Sequence, residues 1–107
     1  MMPVYAVLWE KGTKHDLKCL GRKAAEHIRE IVETKLVHDP RQGKQLQGDY
    51  KPPLWSYRVG VYRIIYTFTE SELVIWVVRV GHRKEVYRKL LLYPLKPLLT
   101  VRALMSG

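Results

Sequence analysis

The chain is poor in three things, and each shortage excludes something. It has one cysteine, Cys19, so no disulfide can close within it, and clusters built from several cysteines are ruled out. It has no uncharged apolar run of the roughly 18 residues a membrane-spanning helix needs. The leucine-rich end after Lys89 is broken by Pro94, Lys96, Pro97 and Arg102. The opening MMPVYAVLWEKG lacks the basic start and long apolar stretch of a secretory signal. A soluble protein of the reducing cytoplasm, with no membrane contact, is the expectation. Acidic side chains are the third shortage. Ten Asp and Glu face nineteen Lys and Arg, leaving a net charge of +9 on 107 residues. The excess sits almost wholly in the second part: residues 1–40 hold seven basic and six acidic side chains, residues 41–107 twelve and four. So one-sided a field concentrates polyanions and speeds their arrival. Nucleic acid, an acidic protein partner, or both are implied.

The length suits a single domain over 1–107. Val4 to Trp9 is a short apolar and aromatic run, a first strand. Thr13 and Asp16, three apart, have the spacing of a helix-capping pair. Leu17 and Leu20 then give an apolar edge before Gly21. Ala25, Ile28, Val32 and Leu36 recur at helical spacing, broadened by Ala24 and Ile31, until Asp39-Pro40 ends the helix. Two helices forming a hairpin are predicted. Residues 41–53 read as a basic loop. Leu54–Val59, Tyr62–Phe68 and Leu73–Val80 read as three strands with short breaks, hence an antiparallel meander. Glu85 to Leu92 suits a last short helix, and 93–107 reads as a flexible C-terminal extension of no assignable structure. The fold class is therefore α+β: an N-terminal strand and helical hairpin packed on a small twisted antiparallel sheet, with a short C-terminal helix.

A two-residue turn at Gly60-Val61 sets Val59 against Tyr62 and Arg58 against Arg63. Strand alternation then puts Trp55, Tyr57, Val59, Tyr62, Ile64, Tyr66 and Phe68 on one face, to pack on the helices. The other face carries Ser56, Arg58, Arg63, Ile65 and Thr67 and is expected to stay uncovered. If the next hairpin turns at Glu70-Ser71, Val78 stands beside Arg63, and the strand leads on to His82 and Arg83. Two arginines directly opposed repel, and neither strand holds an acidic residue to relieve them. A phosphate would, because guanidinium forks match its oxygens two at a time. His82, near this cluster, suits proton transfer near neutrality, and Tyr87 offers a ring and a hydroxyl. Arg58, Lys44, Lys51, Arg41 and Lys84 are the further candidates for contact with a nucleic-acid backbone. His15, His27, His38 and His82 lack metal-ligand spacing with Cys or carboxylates. No glycine-rich phosphate loop or nucleophile elbow is present. Neither a metal nor a cofactor is called for, and Cys19 is expected to be a small core residue of the first helix.

The helical hairpin ending in "DP", then "GKQLQG", "LWSYRVGVYRIIY" and "VVRVGHRKEVY", in that order, resembles the RelE/ParE superfamily of toxin–antitoxin systems over about Val4 to Leu90. The RelE branch is the better likeness. That resemblance implies an endoribonuclease that cuts mRNA in the ribosomal A site without a metal, silenced by an acidic RelB-like antitoxin in a hetero-oligomer. It also implies transition-state arginines at Arg63 and Arg83 and a terminal tyrosine at Tyr87. Leu54 and Ser56 stand where some relatives carry lysines. His82 is then the first substitute as general base, with Lys51 and Lys44 behind it. The alternatives are the ParE branch, which poisons DNA gyrase, and a degenerate toxin that only binds antitoxin or RNA.

Overall fold

The computed structural model describes residues 4–92. Strand β1 (Ala6–Trp9) leads into helices α1 (Lys11–Leu20) and α2 (Arg22–Ile31). A π-helical turn over Val32–Leu36 follows, then a 3-10 turn at Pro40–Gln42. Strands β2 (Lys44–Gln45), β3 (Trp55–Val59), β4 (Tyr62–Thr69) and β5 (Val74–His82) come next, and helix α3 (Val86–Leu92) ends the described chain. The five strands form one sheet in the order β1-β5-β4-β3-β2. β1 runs parallel to β5 and every other neighbour is antiparallel. The helical hairpin is thus the crossover that returns the chain from one sheet edge towards the other.

The helices form where the apolar stripe predicts them. Ile28, Val32 and Leu36 are fully buried, and the π turn, closed by Val37 N–H donating to the Val32 carbonyl at 3.1 Å, brings Val37 inward as well. They pack on the predicted sheet face: Val59, Ile64 and Tyr66 are buried against them, with Trp55, Tyr57, Tyr62 and Phe68 at the margin. Burial of this apolar layer is the main term holding helices to sheet. The register of the β3–β4 hairpin is also the expected one, with Val59 opposite Tyr62 and Arg58 opposite Arg63. Gly60 sits at φ 60°, the left-handed conformation such a turn demands.

Four expectations are corrected. Thr13 and Asp16 do not cap α1, which starts at Lys11; both side chains are buried inside it, and the Asp16 carboxylate accepts from Val80 N–H at 3.1 Å. The β4–β5 turn is not the two residues Glu70-Ser71. Thr69 pairs with Val74, and a bulge at Ile65/Tyr66 shifts the ladder again, so Arg63 lies opposite Gly81 rather than Val78. The second sheet face is not uncovered: Val86 and Leu90 of α3 bury Leu54, Ile65, Val74, Trp76 and Val78 there. Cys19 is exposed on α1, its Sγ 3.6 Å from His15 Nε2, and is no core residue. The 93–107 extension lies outside the described residues.

Candidate active site

Helix α3 covers only part of the second sheet face. The rungs it leaves open carry the cations. Arg58 of β3 is exposed and stands directly across from half-buried Arg63 of β4, which in turn faces Gly81 of β5. Gly81 has no side chain to stand against the Arg63 stem. The ladder continues past β5: Arg83 N–H donates to the Val61 carbonyl at 2.9 Å. By alternation from Gly81, that bond brings Arg83 to the same face as Arg63. Among the described residues, none of Arg58, Arg63 and Arg83 lies within ion-pair distance of a carboxylate. The Nε of Arg63 is buried and has no hydrogen-bond partner. Buried N–H groups are nearly always paired, so this Nε is a donor that an acceptor from outside the chain could satisfy. Arg58 and Arg63 share one side of the sheet, Arg83 follows in the turn after β5, and none of the three is neutralised by a carboxylate among the described residues.

One rung away lies a hydroxyl pair. Ser56 of β3 is buried, and its Oγ is 3.3 Å from the hydroxyl of Tyr87, which α3 carries over the sheet. Lys44 of β2 is paired directly with Ser56 and so shares its face. Lys44 therefore joins the site. His82 does not: it pairs with Tyr62, on the helix side of the sheet, with ring centroids 6.4 Å apart and planes nearly perpendicular. Its Nδ1 accepts from Lys84 N–H at 3.3 Å. The expectation that His82 lies beside the arginine cluster is corrected, because strand alternation turns it away. Arg41 is also engaged elsewhere, paired with Glu70 and lying over the Phe68 ring at 5.9 Å. Lys51 and Lys84 are exposed in loops at the margins. Among the described residues, no group of three or more His, Cys, Asp or Glu side chains gathers as metal ligands do.

The β5 end that delivers Gly81 and Arg83 is held from the other side of the molecule. β1 stops at Trp9, leaving the outer edge of β5 beyond Val77 without a strand. Asp16, 1% exposed on α1, takes over there: besides the Val80 bond it lies 3.6 Å from the Arg79 Nε. Sequence spacing gave Asp16 a local role, and no local signal reveals a bond to a residue 64 positions away.

A five-stranded sheet with a helical hairpin on one face and the Arg58–Arg63 rung on the other is consistent with the RelE/ParE resemblance of the sequence. Residues 7–87 match the family model of the ParE toxin of type II toxin–antitoxin systems. The chain belongs to that family, within the RelE/ParE superfamily. It is 28% identical to toxin RelG of Mycobacterium tuberculosis over 79% of this chain and 98% of the relative. The toxin–antitoxin complex RelBE2 of the same organism superimposes with a TM-score of 0.69 at 26% identity, covering 78% of this chain and 95% of the other. A mutant of Escherichia coli toxin RelE in the free state gives 0.62 at 18% identity, over 81% and 98%; at that identity the likeness is one of fold. No helix among the described residues is long and apolar enough to cross a membrane.

Proposed function

We propose that this toxin is an endoribonuclease that cuts mRNA on the ribosome, and that an acidic RelB-like antitoxin silences it by covering the same arginines. The observation that carries the reading is the opposed Arg58–Arg63 pair, with no carboxylate in ion-pair distance among the described residues and a buried, unbonded Nε on Arg63. A sheet selected for stability alone would not keep it. In RNA cleavage the 2′-hydroxyl attacks the adjacent phosphate and negative charge grows on the phosphate oxygens. Fixed guanidiniums aimed at those oxygens stabilise the charge, by a few kcal/mol for each donor. In this reading Arg58, Arg63 and Arg83 supply those guanidiniums. Tyr87 offers a ring on which a base can stack, its hydroxyl steadied by Ser56. A face of cations and hydroxyls repels a divalent ion, which favours a mechanism without metal. The antitoxin reading draws support from the charge of residues 41–107 and from the similarity in fold to the RelBE2 toxin–antitoxin complex of Mycobacterium tuberculosis. A disordered acidic segment folding over the arginines would suit both.

The test is to induce the toxin without antitoxin and map message ends on translating ribosomes, with a gyrase supercoiling assay alongside. Codon-phased cuts that vanish in Arg63→Ala, while circular dichroism shows the fold kept, are expected. Intact messages with lost supercoiling would overturn the nuclease reading in favour of the ParE one, which the match to the ParE family model keeps in play.

A further inference from the structure

Cleavage needs a proton for the departing 5′-oxygen as well as charge stabilisation, and guanidinium is a poor donor of one. Resting on the nuclease reading above, we propose that Lys44, on the two-residue edge strand β2, is a catalytic residue and is the general acid.

Three observations place it. Lys44 pairs with Ser56 and Gln45 with Trp55, and Leu46 N–H donates to the Leu54 carbonyl at 2.8 Å, so β2 is pinned to β3 along its length. The approach is tight at the entry as well: a Cβ on Gly43 would lie 2.8 Å from the Ser56 carbonyl oxygen and against the Tyr66 hydroxyl. The register therefore fixes which face the Lys44 side chain takes, and it is the face of Ser56, Arg58 and Arg63. β2 begins at Lys44, so no β2 rung lies opposite Arg58, and Lys44 sits diagonally across from it. Such neighbours are about 7–8 Å apart at the backbone, within reach of long side chains. Finally, Lys44 is exposed and has no carboxylate within ion-pair distance among the described residues. Among the described residues, no ion pair holds its ammonium away from a phosphate seated on the arginines.

The chemistry selects lysine from this set. Of the cations on the face, an ammonium surrenders a proton far more readily than a guanidinium. His82 faces the opposite side, and the Tyr87 hydroxyl is paired with Ser56. In the step, the 2′-oxygen bonds to phosphorus while its proton passes to solvent water. The bond from phosphorus to the 5′-oxygen breaks, its electron pair stays on that oxygen, and the Lys44 ammonium protonates it. The products are a 2′,3′-cyclic phosphate and a 5′-hydroxyl, and Lys44 regains its proton from water. The edge strand thus supplies the acid, and the two central strands supply the charge clamp.

A message carrying one bridging 5′-sulfur at the mapped cut, loaded on ribosomes, tests this directly. A thiolate leaves without protonation because thiols are far more acidic than alcohols. Lys44→Gln should slow cleavage of the ordinary message by about 10²-fold or more, yet cut the sulfur-bridged message within a few-fold of the wild-type rate. Arg63→Ala should be slow on both. Lys44→Gln should also unfold at the same or higher denaturant concentration, since it removes a cation from a crowded face. Equal slowing on both messages, or none on either, overturns the general-acid role while leaving the nuclease reading intact. A wild-type toxin that cuts neither message removes the nuclease reading itself.

Discussion

Replacing Arg63 with methionine should make the protein more stable and less active. Met keeps the apolar stem but removes the charge facing Arg58 and the buried Nε that finds no partner. Relief of a like-charge cross-strand pair returns a few tenths to about 1 kcal/mol. Removing a buried unsatisfied donor returns about 1–3 kcal/mol more, offset in part because the Met side chain is shorter. A net gain of about 1–2 kcal/mol follows. In a domain of this size each kcal/mol moves the melting temperature by roughly 4–8 °C. Cleavage should meanwhile fall by about 10²–10³, the usual loss on deleting one donor aimed at transition-state charge. Thermal unfolding followed by circular dichroism, beside a ribosomal cleavage assay, reads both. An Arg63→Met protein that melts below the wild type would refute the reasoning, because the arginine would then be held by folded-state contacts rather than reserved for a ligand.

Tyr66→Phe removes the bond its buried hydroxyl donates to the Pro40 carbonyl at 2.6 Å and should cost about 1–2 kcal/mol, measurable by urea titration. Burial also pushes the Tyr66 hydroxyl far above the ordinary tyrosine value, so the folded state keeps a proton that the unfolded chain releases. That contribution is whole below about pH 10 and is lost as pH rises further; the alkaline fall in stability should flatten in Tyr66→Phe, and an unchanged slope would contradict it. Asp16→Asn keeps an oxygen for the Val80 N–H but leaves the Arg79 charge, 17% exposed at its side chain, without its carboxylate. A loss of about 3 kcal/mol is expected, with faster amide exchange at residues 78–83. A urea midpoint equal to the wild type would show that β5 does not depend on this carboxylate.

What the sequence revealed and what it hid divide along physical lines. The Arg58–Arg63 rung was legible because a two-residue turn with glycine leaves a single register, and the alternating aromatics said which face met the helices. The next hairpin was not, because its turn runs through Leu73 at φ 53°, a conformation leucine does not advertise, and because a bulge then inserts one more residue. Both errors moved the partner of Arg63 from Val78 to Gly81. The covered second face does leave a sign in the sequence: Val74 to Val78 is apolar without alternation, as strands buried on both sides are. Lys44 and Asp16 acquire their places through pairing with residues far along the chain, and neither a two-residue strand in a glycine- and proline-rich loop nor a carboxylate inside a helix announces a distant partner. His82 was misplaced by one residue of alternation, which in a strand is the whole difference between two faces.

The central claim is that Arg58, Arg63 and Arg83 together hold a phosphate. Their guanidinium NMR resonances, followed while a short RNA with a 2′-O-methyl block at the cut is titrated in, test it most directly. All three should shift together, saturably, with an affinity that weakens as salt rises, and an acidic antitoxin peptide should compete. RNA that binds while these resonances stay in place would contradict it.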